Sequence, residues 1–536
     1  MKKLSIFTIC ALGLATAALT SCSKQSDEID SYTLNRNLSP VGVDASNIGE
    51  TSASIKWTPS AKATSYNMLI CAEDSMSYDL STPVKTITGI TPDQIPYTVE
   101  GLFFDTRYTA YIQAITDGDD SRTSTWNGIF FRTSAKQFLK NPKPAQIADR
   151  SVTLQWECED GYDVTDIVIG DINHKITAEE KTAGQATIEG LTPETTYTAY
   201  LYYNGKQCGN RNFTTIADLA GAILVHEGDN LASIIASAEP NSTIAVFPGT
   251  YVMNENDEGQ AGAAKVNGSL TIKGVYPTDQ PLIKGRFEIY GGSALTITQV
   301  VIDGADNASG DQTFNYKEEA DYGALLVENV EIKNFVKGIT YGNVKGTIES
   351  ITYNKCLIHD IECDGGDFFD LRKNYVKTVK FTQSTIYNCA HKRDFIRYDD
   401  SSSNYSDAAP VITVDQCTID NVLNDASGKR LLYVRFAGNN ISWTNNIVSN
   451  TKAVYTNQSK TNTISYQNNY YFGCSNADIF SPSVTDGEAK TYWNGDVNGK
   501  NGADPKYKDA ANGDFTIGNG DVSKLKVGDP RWYAAE

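Results

Sequence analysis

Five short segments between residues 338 and 457 carry charged and aromatic side chains at fixed positions: GITYG from Gly338, FFDLR from Phe368, FIRYD from Phe395, LLYVR from Leu431 and AVYTN from Ala453. Aligned by their apolar residues, they put Ile339, Phe369, Ile396, Leu432 and Val454 in one column. A β-strand turns successive side chains to opposite faces, so the alternate residues face outward. They are Thr340, Asp370, Arg397, Tyr433 and Tyr455, followed by Gly342, Arg372, Asp399, Arg435 and Asn457. With the segments stacked as strands about 4.8 Å apart, Asp370 meets Arg397, and Asp399 sits between Arg372 and Arg435. The patch then holds three Arg and two Asp, a net charge of +1 on a chain whose formal charge is −19. His391, Lys392 and Arg393 come just upstream, Lys429 and Arg430 one segment later, and Lys373, Lys377 and Lys380 nearby.

A planar guanidinium grips a carboxylate through two parallel hydrogen bonds, so such a wall suits an acidic polysaccharide, for example a uronic-acid polymer. Cutting that polymer by β-elimination requires the uronate carboxylate to be neutralised, which acidifies the adjacent C–H. It also requires a base whose pKa is lowered by neighbouring positive charge. Lys392, Arg393 and Arg397 are the candidate catalytic residues, with His391 and Tyr433 as further proton acceptors. Asp370, Arg372, Asp399, Tyr433, Arg435 and His391 are the candidate substrate-binding residues. The competing reading is a salt-bridge stack that fixes strand register, in which each exposed pair contributes little.

Other chemistries find less support. Asp370 and Asp399 fall in different columns, and each has an Arg partner, which depresses the pKa that a glycosidase acid needs raised. The four histidines, 174, 226, 359 and 391, are scattered without an HExxH spacing. His359 shares a column with Asp303, Lys333 and Asp420 and is expected to be an exposed residue of its coil. No close CxxC pair points to zinc. The acidic loop of Asp303, Asp306 and Asp311 suits either calcium or plain solvation, and no cofactor is required by the pattern.

The elements that must hold this wall are visible between residues 295 and 475, where one pattern recurs seven times: ITQVVIDG from Ile297, VENVEIKN from Val327, YNKCLIHD from Tyr353, FTQSTIYN from Phe381, VDQCTIDN from Val414, WTNNIVSN from Trp443 and YQNNYYFG from Tyr466. The copies are offset by 23 to 33 residues. A unit too small to bury its own apolar face, repeated with alternation inside and variable loops between, predicts a stacked solenoid with one coil per copy. Ile302, Ile332, Ile358, Ile386, Ile419, Val448 and Tyr471 form its interior stripe. Gly304, Asn334, Asp360, Asn388, Asn421, Asn450 and Gly473 end the copies. Such residues tolerate left-handed backbone and hydrogen-bond along the stack. Cys356 and Cys417 share a register and are expected to point inward.

Upstream, Leu231, Ile234, Ile235 and Ala238 fall at helical spacing, with Asp229 or Asn230 as cap and Pro240 as stop, before TIAVFPGTY reads as a buried strand. This helix-then-strand start, the seven coils and the closing DPKYKDAANGDFTIGNGDVSKLKVGDPRW from Asp504 resemble right-handed parallel β-helix proteins of the pectate lyase and chondroitinase B superfamily, over residues 219–536. The resemblance implies a β-helix with an N-terminal capping helix. It implies Lys or Arg as the base of a lyase and calcium as a cofactor of several relatives. The superfamily also holds hydrolases, epimerases and inactive binding proteins, so the fold does not fix the reaction.

Residues 38–134 and 140–216 carry a second kind of repeat. SASIKWTP around Trp57 and VEGLFFDTRYTAYIQAI around Tyr108 are matched by SVTLQWEC around Trp156 and IEGLTPETTYTAYLYY around Tyr197. An early buried Trp, and a Leu six residues before a Tyr that opens a late strand, resemble the fibronectin type III sandwich. The second copy holds the family pattern LTPETTY from Leu191, and the first departs from it as LFFDTRY. The expected fold class is therefore all-β, two such sandwiches followed by the β-helix.

The first residues, MKKLSIFTICALGLATAALTSC, read as an export signal over 1–21. The LTSC ending resembles a bacterial lipobox, which implies lipidation of Cys22 and anchoring to the outer membrane. The linker over 22–37 begins CSKQSDEID, resembling the surface-export tag of Bacteroidetes-type lipoproteins. Loss of Lys2 and Lys3 takes the net charge from −19 to −21, which argues against nucleic acid as a partner. The expected partners are an acidic polysaccharide, the outer membrane through the lipid and a glycan uptake machinery. A lyase, a non-catalytic glycan-binding protein and an adhesin or spacer all fit that frame.

Overall fold

The computed structural model describes residues 36–159, 161–425, 429–486 and 489–533, so the predicted export signal and Cys22 lie outside the described residues. The protein is all-β, and its chain divides into two compact units. One holds the residues up to Gln146 with Val152–Ile188 and Tyr197–Phe213; the other holds Ile147–Ser151, Glu189–Thr196 and the chain from Thr214 onward. Three short pieces of the stretch read as a second sandwich, the last of them 214–216, thus belong with the C-terminal unit.

In the first unit, Val41–Ser46, Ser52–Thr58 and Tyr97–Glu100 form a three-stranded antiparallel sheet. Lys85–Ile90, Ser65–Ala72, Arg107–Ile115 and Asn127–Arg132 form a four-stranded one in that order. The two-residue alternation closes Ile55, Trp57, Tyr66, Ile70, Val99 and Tyr108 into one core. The Tyr108 hydroxyl accepts the N–H of Phe103 at 2.8 Å, tying the late strand to the turn behind Leu102. Further along, Ile172–Lys175, Asp166–Ile169, Thr196–Tyr203 and Lys206–Thr214 make a second four-stranded sheet, and Ser151–Gln155 pairs with Gln185–Glu189. Trp156 is buried, as its alternation predicts.

Near the start of the second unit lies the helix Leu231–Ser237, whose Asn230 cap accepts the Ser233 N–H at 2.9 Å. Three parallel sheets follow, of ten, nine and seven strands, and the chain visits them in rotation. The first sheet runs from Ile223–Val225 to Ser465–Gln467, the second from Thr250–Val252 to Tyr470–Phe472, and the third from Ala263–Val266 to Leu432–Val434. The predicted interior stripe is a physical column: Ile302, Ile332, Ile358, Ile386, Ile419, Val448 and Tyr471 are successive partners in the second sheet. All are 0–1% exposed, and each such burial contributes about 1.5–3 kcal/mol.

Two corners repeat in every coil. Gln299, Asn329, Lys355, Gln383, Gln416, Asn445 and Asn468 turn the chain from the first sheet into the second, all with φ between 49° and 57°. The predicted column at the end of the second sheet is left-handed at Asn334, Asp360, Asn388, Asn421, Asn450 and Gly473. Gly304 is the exception, serving space instead, since a Cβ there would lie 2.7 Å from the Phe335 ring. The amides bond along the stack, as in Asn421 to Asn388 at 3.2 Å and Asn450 to Asp420 at 2.7 Å. Cys356 and Cys417 are fully buried, and every cysteine among the described residues is a free thiol.

The expected register of the five aligned segments fails at the first and the last of them. Thr340, not Ile339, pairs with Phe369, so Thr340 points inward and shares a hydrogen bond with the Tyr353 hydroxyl at 2.6 Å. Tyr455 was also expected outward, but Val454 bridges to Arg430 and Tyr455 is buried, its hydroxyl 2.8 Å from that of Tyr471.

Candidate functional site

The centre of the wall is placed as predicted. Phe369–Leu371, Ile396–Tyr398 and Leu432–Val434 are neighbouring parallel strands, with Asp370 opposite Arg397 and Arg397 opposite Tyr433. Phe369, Leu371, Ile396, Tyr398, Leu432 and Val434 are 0% exposed. Their burial forces the residue between each pair outward and leaves Arg372, Asp399 and Arg435 just past each strand.

Asp399 is the hub. Both its carboxylate oxygens accept from Arg397, through Nε and Nη2, each at 2.9 Å. Arg435 Nη2 lies 2.9 Å away, and Arg372 Nη1 3.8 Å. Arg372 forks onto Asp370, with Nη2 donating at 2.8 Å. Asp370 also lies 4.0 Å from Arg397. Three more residues join the cluster: Arg430, noted in the sequence only as a nearby cation, and Asp367 and Asp394, which the sequence reading missed. Asp367, Asp394 and Arg430 stand three residues before Asp370, Arg397 and Tyr433, so extending the alignment upstream would have exposed them as a third column. Each carboxylate accepts the backbone N–H of the equivalent residue on the next coil, Asp394 to Asp367 and Arg430 to Asp394, both at 3.0 Å. Asp367 also meets Arg397 Nη1 at 3.3 Å, and Asp394 meets Arg430 Nη2 at 2.5 Å. The expected surplus of one positive charge is therefore corrected: four Arg face four Asp, and the cluster is neutral.

The charges are held firmly. Burial alone would lower the Arg397 pKa, but Asp399, Asp367 and Asp370 outweigh it and raise it above its ordinary value. The bond that Arg372 donates to Asp370 raises the Arg372 pKa. Burial pushes Asp399 up, but its bonds from Arg397 and Arg435 bring it below the usual carboxylate range. Asp370, 1% exposed, is moved up by burial, and Arg372 offsets part of that rise. Arg397 is thus a fixed cation and cannot serve as the proton acceptor that the sequence suggested.

Tyr433 stands among three guanidinium groups, whose carbons lie 4.5 Å (Arg430), 5.0 Å (Arg435) and 5.2 Å (Arg397) from its ring centre. Each is within cation–π range. Nε of Arg430 and Nε of Arg435 are buried without a hydrogen-bond partner among the described residues. Arg435 is also the least covered of the four, 37% exposed.

The other candidates sit on the loop into the third sheet. The Lys392 side chain is 75% exposed, its ammonium 3.2 Å from Asp425, and His391 Nδ1 is 2.6 Å from Asn424. Arg393 lies in the same turn, its N–H bonded to the Ala390 carbonyl at 3.3 Å. The partners of Lys392 and His391 belong to the next loop, not to the Arg–Asp ladder.

The acidic loop does not converge on one point. Asp303 accepts from Asn334, Asp306 faces Lys284 at 3.3 Å, and Asp311 faces Lys337 at 3.1 Å. Among the described residues no group of three or more His, Cys, Asp or Glu is arranged to hold a metal. His359 departs from its expected exposure: its side chain is 12% exposed, stacked 4.8 Å from Tyr387, with Nε2 3.2 Å from Glu331 and Nδ1 2.7 Å from Asp360.

Family comparisons match three stretches. Residues 38–126 match the fibronectin type III domain, residues 249–389 a domain of unknown function (DUF4957), and residues 412–532 another (DUF5123). The N-terminal module is therefore a fibronectin type III domain. No curated protein matches. Among solved structures, a two-domain fibronectin type III segment of chicken tenascin is 18% identical, covering 33% of this chain and 99% of its own, with a TM-score of 0.23. The central fibronectin-III array of RIM-binding protein is 14% identical, covering 35% and 71%, with a TM-score of 0.15.

Proposed function

We propose that this is a lipid-anchored surface protein that binds an acidic, uronic-acid-containing polysaccharide on the outer wall of the third sheet. The observation that carries this reading is the setting of Tyr433: an aromatic ring flanked by the guanidinium groups of Arg430 and Arg435, of which Arg435 reaches solvent. A sugar ring can stack its C–H face on Tyr433 while its carboxylate accepts from the exposed side of Arg435.

The C-terminal unit is read as a right-handed parallel β-helix of the pectate lyase and chondroitinase B kind; the rotation through three parallel sheets and the capping helix support this. The stretch 140–216 is read as a second fibronectin type III domain, supported by buried Trp156 and the LTPETTY pattern. The LTSC ending supports an outer-membrane lipoprotein with Cys22 lipidated, delivering glycan to an uptake machinery. Binding is favoured over cleavage because Arg397 is locked as a cation and Lys392 is exposed and paired with Asp425.

Affinity electrophoresis on polygalacturonate, alginate and chondroitin sulfate tests the reading. Retardation by one of them, lost in Tyr433→Ala and Arg435→Ala, is expected. If no acidic glycan retards the protein, the Arg–Asp cluster is only a register-fixing stack. Release of an unsaturated, ultraviolet-absorbing product that stops in Lys392→Ala would replace binding by a lyase.

A further inference from the structure

A second feature of the C-terminal unit lies away from the Arg–Asp wall, at the corner between the first and second sheets. A groove of about 460 Å³ runs along this corner, within the size range of ligand clefts. One side is the column Gln299, Asn329, Lys355 and Gln383, one residue per coil and hence about 4.8 Å apart. Glu331 lines the groove, and the chain at Asp529–Arg531 closes it.

That closing segment is fixed, which makes the groove a formed feature. The Asp529 carboxylate accepts from the Thr385 hydroxyl at 2.8 Å, and its N–H donates to Thr418 Oγ1 at 3.0 Å. Arg531 Nη2 donates to the Lys355 carbonyl at 2.8 Å, and Trp532 Nε1 to Thr385 Oγ1 at 2.6 Å. The corner side chains are only partly spent on one another: Gln299 accepts from Gln280 at 3.1 Å and Gln383 donates to Gln416 at 3.2 Å. Lys355 interrupts this amide ladder. The backbone there is left-handed, φ 53°, where Asn is the better fit, yet the position carries a cation that is exposed and enters no ion pair among the described residues.

We propose that this groove is a second glycan-binding site, taking a short extended run of sugar rings along the corner amides with Lys355 holding an anionic substituent. Amides spaced at one per coil offer donors and acceptors in steps comparable to successive rings of an extended hexose chain. Pro277 and Pro530 supply apolar contact. The ligand class is that of the proposed function, but the site shares none of its residues.

The test uses trigalacturonate with the full-length protein and lysine acetylation read by mass spectrometry. Saturating trigalacturonate should slow acetylation of Lys355 and leave Lys377, on the outer face of the first sheet, unchanged. Protection of Lys429 reports the Tyr433 wall separately, so the two readings fail independently. Lys355→Asn restores the residue type of its neighbours in the column, so it should melt like the parent. It should weaken trigalacturonate binding in an Arg435→Ala background roughly tenfold. Unchanged acetylation of Lys355 at saturation, or unchanged affinity in Lys355→Asn, would overturn the proposal.

Discussion

Asp399 gathers three guanidinium groups, so its replacement separates charge from packing. Asp399→Asn keeps the shape but leaves Arg435 without its anion and Arg397 with only Asp367 and the more distant Asp370. We expect a loss of about 1–3 kcal/mol in urea unfolding, below that of a fully buried pair because the Arg side chains reach solvent. Its pKa is depressed in the folded state, so the stability it contributes is present above the ordinary carboxylate value and fades as pH falls through the lower folded value. The difference from the parent should shrink in acid. His359 has the opposite sign. Burial lowers its pKa, but Glu331 and Asp360 more than compensate and raise it above 6.5. Its contribution is full below 6.5 and is lost as pH rises through the folded value. The melting-temperature gap between parent and His359→Gln should therefore close by about 2 °C on the alkaline side; a pH-independent gap would contradict this. Asp370, Arg372, Arg397, Asp399 and Arg435 were legible because their parity follows from buried neighbours. Asp367 and Asp394 were passed over because they precede the strands; their column is visible upstream in the sequence, and the coil-to-coil N–H bonds give it its role.

The corners do at the scale of the element what the ions do at the scale of the residue. A left-handed backbone costs an Asn little and a β-branched residue much. Asn388, at φ 53°, also sits in the amide ladder between Asp360 and Asn421. Asn388→Val should cost about 2–3 kcal/mol by chemical denaturation, whereas Asn388→Gly, which keeps the backbone and loses the ladder, should cost less. Inside the coil, Asn446 accepts the Cys417 N–H at 2.8 Å and donates to the Val414 carbonyl at 2.9 Å. Asn446→Leu should cost about 1–3 kcal/mol, since both backbone groups lose a buried partner. The period and interior column were readable because apolar residues recur at one register. Register slipped at Thr340 and Tyr455 for a physical reason: Ile339, Thr340 and Tyr341, like Val454, Tyr455 and Thr456, are all able to pack inside. Partners far along the chain, Tyr353 and Tyr471, decide which of them do.

At the scale of the whole molecule, the first sandwich has a hydrophobic core of its own, from Ala53 to Phe131. A fragment covering residues 36–134 should fold alone and melt in one cooperative transition; a fragment lacking near-ultraviolet circular dichroism would show that it depends on its neighbour. The sequence by itself determined the all-β class, the coil repeat, the buried stripe and the outward parity of the central Arg–Asp residues, because a two-residue strand period and a stack-and-repeat unit are local properties of the chain. The tertiary structure alone decided that the cluster is neutral, that Arg397 is locked, that Tyr433 has unpaired guanidinium N–H groups beside it and that the C-terminal segment closes a groove against the Gln–Asn–Lys corner. Those facts depend on which side chains meet across 27 to 36 residues within the ladder, and across more than 170 at the groove, and no local pattern encodes such meetings.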